Sequence, residues 1–206
     1  MSSNGFDYID LGLPSGTLWA TCNVGATKPT EYGLYFQWGD TVGYTADQVG
    51  TGEGQKKFAS DENDYKWGVS PNFTKYTTKG ETLELEDDAA HANMGGNWHM
   101  PSPRQCKELI DNTTSTWETI DGIKGRLFTS KSDPSKSIFF PAAGVAWVGS
   151  VRNSGGHGYV WSSVLDTDNV DGGQYLDFLS GFVYLLSSYR YVGLSVRGVV
   201  GNIVLK

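Results

Sequence analysis

Hydrophobic and polar positions alternate most clearly near the end of the chain. Leu176 and Phe178 precede Ser180-Gly181, and Val183 and Leu185 follow it, a period of two on either side of a turn. These four residues are expected to face inward on a β-hairpin. Their neighbours Tyr175, Asp177, Leu179, Tyr184 and Leu186 are then expected to face the other way. Earlier, Tyr8-Ile9-Asp10-Leu11 and Thr17-Leu18-Trp19-Ala20 flank the turn Leu13-Pro14-Ser15-Gly16, an opening hairpin, and Tyr35-Phe36-Gln37-Trp38 is a third strand ended by Gly39-Asp40. From Thr41 to Tyr76 the chain is polar and Gly-rich without periodicity and reads as a long surface loop.

The helix signals fall in the middle. Leu85 to Met94 carries Asp87-Asp88 before three alanines and stops at Gly95-Gly96. A second helix starts at Ser102, with Pro103 at the first helical position and Gln105 three residues after the cap, the spacing of a capping box. Its apolar positions Cys106, Leu109 and Ile110 share one face. Beyond it, Arg126 to Thr129 and Ile138 to Phe140 are strands separated by the Ser132-Asp133-Pro134 turn, with Pro141 ending the second.

Composition narrows the class. With 27 glycines, 13% aromatic and 19% charged residues in 206, many short strands and tight turns are expected, and the length suffices for one α+β domain with its own core. A net charge of −7 argues against nonspecific nucleic-acid binding, which needs clustered Lys and Arg. Cys22 and Cys106 lack metal-ligand spacing and are either one bridge or two buried thiols. No apolar run reaches the length of a membrane span, so no direct membrane insertion is expected, and Met1 to Asp10 lacks the pattern of a signal peptide.

A resemblance spans nearly the whole chain. The run from Ile9 to Ala26 (IDLGLPSGTLWATCNVGA), Glu31-Tyr32-Gly33 with Trp38-Gly39-Asp40, the Gly95 to Ser102 segment (GGNWHMPS), Trp161-Ser162-Ser163 and Gly193 to Arg197 (GLSVR) resemble the Fibrobacter succinogenes major paralogous domain of gut Bacteroidetes. The resemblance implies a C-type lectin fold of the formylglycine-generating-enzyme subtype, in which first and last strands pair, two helices flank a small mixed sheet and long loops emerge on one side. Proteins of this fold include the hypervariable proteins of diversity-generating retroelements, carried on phage virions as receptor-binding tail proteins or on bacterial cell surfaces. Randomisation of adenines turns Asn codons into NNY, which never encodes Lys, Glu, Gln, Met or Trp. Those five supply roughly one position in six of an ordinary chain, yet between Ser162 and Gly193 only Gln174 is one of them.

The stretch 159–193 is therefore the candidate variable region. Its mixture of Tyr, Ser, Gly and Asp is that of a recognition surface. Exposing Leu179, Tyr184, Leu186 and Tyr189 together calls for a partner that covers them. The candidate ligand-binding set is Val160, Asp166, Asp168, Val170, Asp171, Tyr175, Asp177, Leu179, Phe182, Tyr184, Leu186, Ser187, Ser188, Tyr189, Tyr191 and Val192. Arg190 is either a contact or a structural arginine. The expected partner is a protein or glycan on a cell surface, and the alternative is an invariant structural or adhesive module of the same fold.

Other chemistry is read as absent. The spacing of Asp166, Asp168 and Asp171 fails as an EF-hand loop, since Val170 falls at position five and Asp171 at the glycine position. His91, His99 and His157 lack metal-ligand spacing, so neither a metal nor a cofactor is expected. The formylglycine-generating relatives use a late cysteine pair, and here none follows Cys106. No Gly-x-Ser-x-Gly elbow occurs either, so no enzyme is expected.

Overall fold

A computed structural model describes residues 1–50 and 62–201. In chain order the strands are β1 (Ser2–Ser3), β2 (Phe6–Ile9), β3 (Leu18–Ala20), β4 (Tyr35–Phe36), β5 (Thr113–Ile120), β6 (Ile123–Ser130), β7 (Ser137–Pro141), β8 (Val145–Trp147), β9 (Ser150–Arg152), β10 (His157–Leu165), β11 (Gly172–Leu179), β12 (Val183–Tyr189), β13 (Leu194–Ser195) and β14 (Val199–Val200). Two helices, α1 (Ala89–Met94) and α2 (Pro103–Asn112), lie between β4 and β5. Small, mostly antiparallel sheets with two short helices make the protein α+β.

The opening hairpin forms where the alternation puts it. Tyr8 pairs Ala20 and Ile9 pairs Trp19. Within the turn, the Gly16 amide donates to the Leu13 carbonyl at 2.9 Å, and Gly16 takes a φ of +73°, which a side chain disfavours. The last strand, β14, joins this hairpin on β3 through Val199 opposite Trp19. The sheet order β1-β2-β3-β14 thus places the first and last strands at opposite edges, where the resemblance implied that they pair. Arg197 secures the junction from the interior. Its guanidinium is fully buried and donates to the carbonyls of Ala20 (3.0 Å), Thr21 (2.7 Å) and Phe139 (3.2 Å) and to Asn23 Oδ1 (2.9 Å). Burial depresses its pKa to about 9.

Helix α2 begins as its sequence requires: Ser102 accepts from the Gln105 amide, and Gln105 Oε1 accepts from the Ser102 amide. The 85–94 helix is shorter than expected. A single 3₁₀ turn covers Leu85–Asp87, and α1 starts afresh because the Asp88 side chain caps it, accepting from the His91 amide at 2.9 Å and also from the Met100 amide at 2.8 Å. The eight-residue strand β5 and the β8–β9 hairpin carry no counterpart in the alternation. The turn into β6 is Asp121-Gly122, both at positive φ, as a two-residue hairpin loop demands.

The site rests on a five-stranded mixed sheet of order β12-β11-β10-β13-β4, in which only β10 and β13 run parallel. One face packs on α2: Cys106 and Leu109 of the helix share a core with Val160, Leu176 and Phe178, and Val183 and Leu185 pack at its margin. The other face is covered at its β4 end by a second core containing Trp38, Trp161, Tyr175, Val192 and Ala89 and Ala90 of helix α1. Buried Trp indoles tie these layers through backbone carbonyls, Trp38 to Ser162 at 2.9 Å and Trp161 to Phe36 at 2.7 Å. Trp98, from the GGNWHMPS segment, reaches the Ser3 carbonyl at 2.9 Å.

The described parts of the segment after Thr41 do not merely cover the surface. Tyr65 and Tyr76 are each 5% exposed, and the Tyr65 hydroxyl donates to the Trp38 carbonyl at 2.6 Å. Residues 51–61 of that expected loop lie outside the described residues. Both cysteines are free thiols, Cys22 half-buried and Cys106 buried, and burial pushes the Cys106 thiol up to about 12.

Candidate functional site

The β11–β12 register decides which side chains share a face. Tyr175 lies opposite Leu186 and Asp177 opposite Tyr184, while Leu176 faces Leu185 and Phe178 faces Val183. On the other side of β11, Tyr159 pairs Asp177 and His157 pairs Leu179. Residues opposite one another in a ladder project to the same side. One side of the three strands therefore carries His157, Tyr159, Tyr175, Asp177, Leu179, Tyr184 and Leu186, and the other carries the core against α2.

Exposure on the outer side rises from the centre of the sheet to its edge. Tyr184 is 57% exposed and Leu186 46% on the edge strand β12. Tyr189, opposite Gly172 with the parity of Leu185, projects to the other side at the end of the strand and is 54% exposed there. Asp168 and Ser187 are also exposed, whereas Asp166, Val170, Asp171, Leu179, Phe182, Ser188 and Tyr191 are half-buried. Four members of the expected surface are corrected. Tyr175 and Asp177 point to the outer side but are buried, because β11 is a central strand whose outer side the second core and the flanking rings cover. Val160 has the opposite parity from Tyr159 and belongs to the α2 core. Val192, past the end of β12, turns into the second core.

A run of rings lines the outer side. Tyr159 stacks on His157 at 4.2 Å between centroids, His157 meets Phe182 edge-on at 6.4 Å, and Phe182 meets Tyr184 at 5.1 Å. Inward, Tyr175 contacts both Tyr159 and Trp161. At the centre, Nε2 of His157 lies 2.6 Å from Oδ1 of buried Asp177. Burial pushes the Asp177 carboxyl above its ordinary range, and His157 pulls it part of the way back. Sequence spacing alone gives His157 no partner. Its signal is the parity that places it, like Tyr159, on the Asp177 side of the sheet.

Two side-chain acceptors of the Asp166–Asp171 loop bond the loop's own amides. The Asp168 amide donates to Asp166 Oδ1 at 2.7 Å and the Asp171 amide to Asn169 Oδ1 at 3.0 Å. Burial would raise the Asp166 carboxyl, but hydrogen bonds from the Ser187 hydroxyl and the Asp168 and Asn169 amides more than offset it and hold it low. Among the described residues the only converging trio of metal-type ligands is Glu84, Glu86 and Asp87. Lys75 Nζ already sits among them at 2.5, 3.1 and 2.6 Å.

Arg190 takes the structural role. It is 1% exposed, its Nη1 donates to the Tyr76 carbonyl at 2.7 Å, and its guanidinium lies 3.5 Å from the Phe73 ring centroid. Beside it, Phe73, Asp171, Tyr189 and Tyr191 line a cavity of about 240 Å³, with the two tyrosine rings stacked at 5.2 Å and 12°. Phe73 enters from the long loop, a contribution that local pattern does not reveal. Among the described residues no helix is long and apolar enough to cross a membrane. No protein-family model, no curated protein and no solved structure matches the chain.

Proposed function

We propose that this protein is a non-enzymatic binding domain that takes a protein or glycan of a cell surface on the outer side of β10–β12, and that this side is the diversified surface of a retroelement variable protein. The scaffold under this reading is a C-type lectin fold of the formylglycine-generating-enzyme subtype, displayed on a phage virion or a bacterial cell. The observation that carries the reading is the interleaving of exposed Tyr184 and Leu186 on that side with a buried frame of Leu176, Phe178 and Trp161. Such a frame lets the exposed set change without cost to the core. The near-absence of residues that NNY cannot encode between Ser162 and Gly193 supports programmed change of that set. The rings on the outer side contact one another, Tyr159 stacked on His157 and Phe182 tilted against Tyr184, and offer contact area at low entropic cost, which suits a broad partner.

Sequencing the locus across isolates tests this. The expected result is a near-identical repeat differing chiefly at adenines, beside a reverse transcriptase, with codon changes at Asp168, Tyr184, Leu186, Ser187 and Tyr189 and none at Trp161, Leu176 or Phe178. Identical codons at all eight positions and no repeat would leave an invariant adhesive module.

A further inference from the structure

We infer that β12 is an association edge, which pairs antiparallel with β12 of a second copy of this chain about a two-fold axis at Leu186. The sheet order β12-β11-β10-β13-β4 gives β12 a neighbour on one side only. At the two ends of the β11–β12 ladder, the Leu179 amide donates to the Phe182 carbonyl and the Arg190 amide to the Asp171 carbonyl. Bonded and non-bonded pairs alternate in an antiparallel ladder, so Tyr184, Leu186 and Ser188 turn their main-chain groups toward β11. Val183, Leu185 and Ser187 turn theirs outward, and among the described residues no backbone group bonds them.

Folded proteins blunt such edges with short strands, lysines, prolines or bulges. The far edge of this sheet is managed in that way: β4 is two residues long, and Tyr35 exchanges both main-chain bonds with Tyr44. β12 is not. It runs seven residues as VYLLSSY, without a charge or a proline, in unbroken register with β11. Tyr184, Leu186, Ser187 and Tyr189 are exposed along it.

The strand is complementary to itself. Two-fold pairing brings like residues close, so a charge near the axis would repel its own copy, and β12 carries none. An axis at Leu186, the middle residue, uses the full strand and sets Leu185 opposite the partner's Ser187, where both outward-facing pairs of groups can bond. Tyr184 then lies across from the partner's Ser188 and Val183 across from the partner's Tyr189, larger side chains against smaller ones. Only the central leucines meet in kind. The pairing uses main chain and joins the two outer sides on one face of a continuous sheet, so it does not depend on the ligand reading.

An interface of one strand is small, so the expected dissociation constant is on the order of 100 μM. Sedimentation equilibrium of the whole chain from about 10 μM to about 1 mM should show monomer and dimer in exchange. Leu186→Lys sets two ammonium groups against each other at an exposed position and should weaken the dimer about tenfold while melting remains a single transition. Disulfide trapping reads the register, because Cα atoms of a non-bonded antiparallel pair lie about 4.5 Å apart, within disulfide reach. In a glutathione redox buffer Leu186→Cys should cross-link to its own copy about tenfold faster than Tyr184→Cys or Ser188→Cys alone, and a mixture of those two should cross-link as fast as Leu186→Cys. The wild-type chain, with Cys22 half-buried and Cys106 buried, sets the background. A monomer up to about 1 mM, association unmoved by Leu186→Lys, or equal cross-linking at all three positions would overturn the inference. None of these readouts involves a ligand, so the binding reading stands or falls separately.

Discussion

Truncating Leu176 and Leu186 in parallel separates the frame from the display. The two leucines sit on neighbouring strands with opposite parity, one fully buried against α2 and the other 46% exposed on an edge strand. Leu176→Ala removes buried methyl groups from a core shared with Leu109, Cys106 and Phe178, and the closed surroundings leave a cavity, so the expected loss is about 3 kcal/mol or somewhat more. Leu186→Ala gives up only the covered half of a side chain and opens no closed cavity, which limits the loss to about 1 kcal/mol. For a chain of this size these losses correspond to falls of melting temperature of ~6–12 °C and ~2–4 °C. Urea unfolding followed by tryptophan fluorescence measures both variants, and an unchanged slope against denaturant certifies that the unfolded states compare. Equal losses, or a larger loss at Leu186, would refute the two-sided account of the sheet.

Two further predictions follow from the interior. His157→Phe keeps a ring against Tyr159 but leaves the buried Asp177 carboxylate unpaired, so stability at neutral pH should fall by about 1–3 kcal/mol. A carboxyl raised in the folded state favours folding while both states are protonated and loses that contribution as pH climbs through its folded value. The His157→Phe penalty should therefore shrink as the medium is acidified toward the ordinary carboxylate range, and a penalty that is flat or grows between pH 7 and 4 in chemical denaturation would contradict the assignment. Arg197→Met should strip donors from two buried carbonyls, the half-buried Thr21 carbonyl and Asn23, costing about 3 kcal/mol or more in the same measurement, and a loss under about 1 kcal/mol would show that the junction holds without it.

What was legible in the sequence was what local chemistry decides. Helix α2 is announced by Ser102, Pro103 and Gln105, all within one turn, and the β11–β12 hairpin by alternation on both sides of Ser180-Gly181. Strand β5 was not legible because TTSTWETI has too few apolar residues to show a period, although Asp121-Gly122 marks its turn. The burial of Tyr175 depends on the second core that includes Trp38, far away in sequence, and no pattern within 172–179 carries that information. The same holds for the His157–Asp177 pair and for Phe73 over Arg190, which exist only once distant segments meet.

The central claim is that the outer side of β10–β12 is where this protein meets its ligand. Its most direct measurement compares the wild-type chain with the combined variant Tyr184→Ala, Leu186→Ala on one array of surface glycans and cell-surface proteins, with thermal melting recorded alongside. The account predicts that the wild-type signals disappear from the variant while its melting falls by no more than ~10 °C and remains a single transition. A variant that folds and still captures the same ligands at the same strength would contradict it.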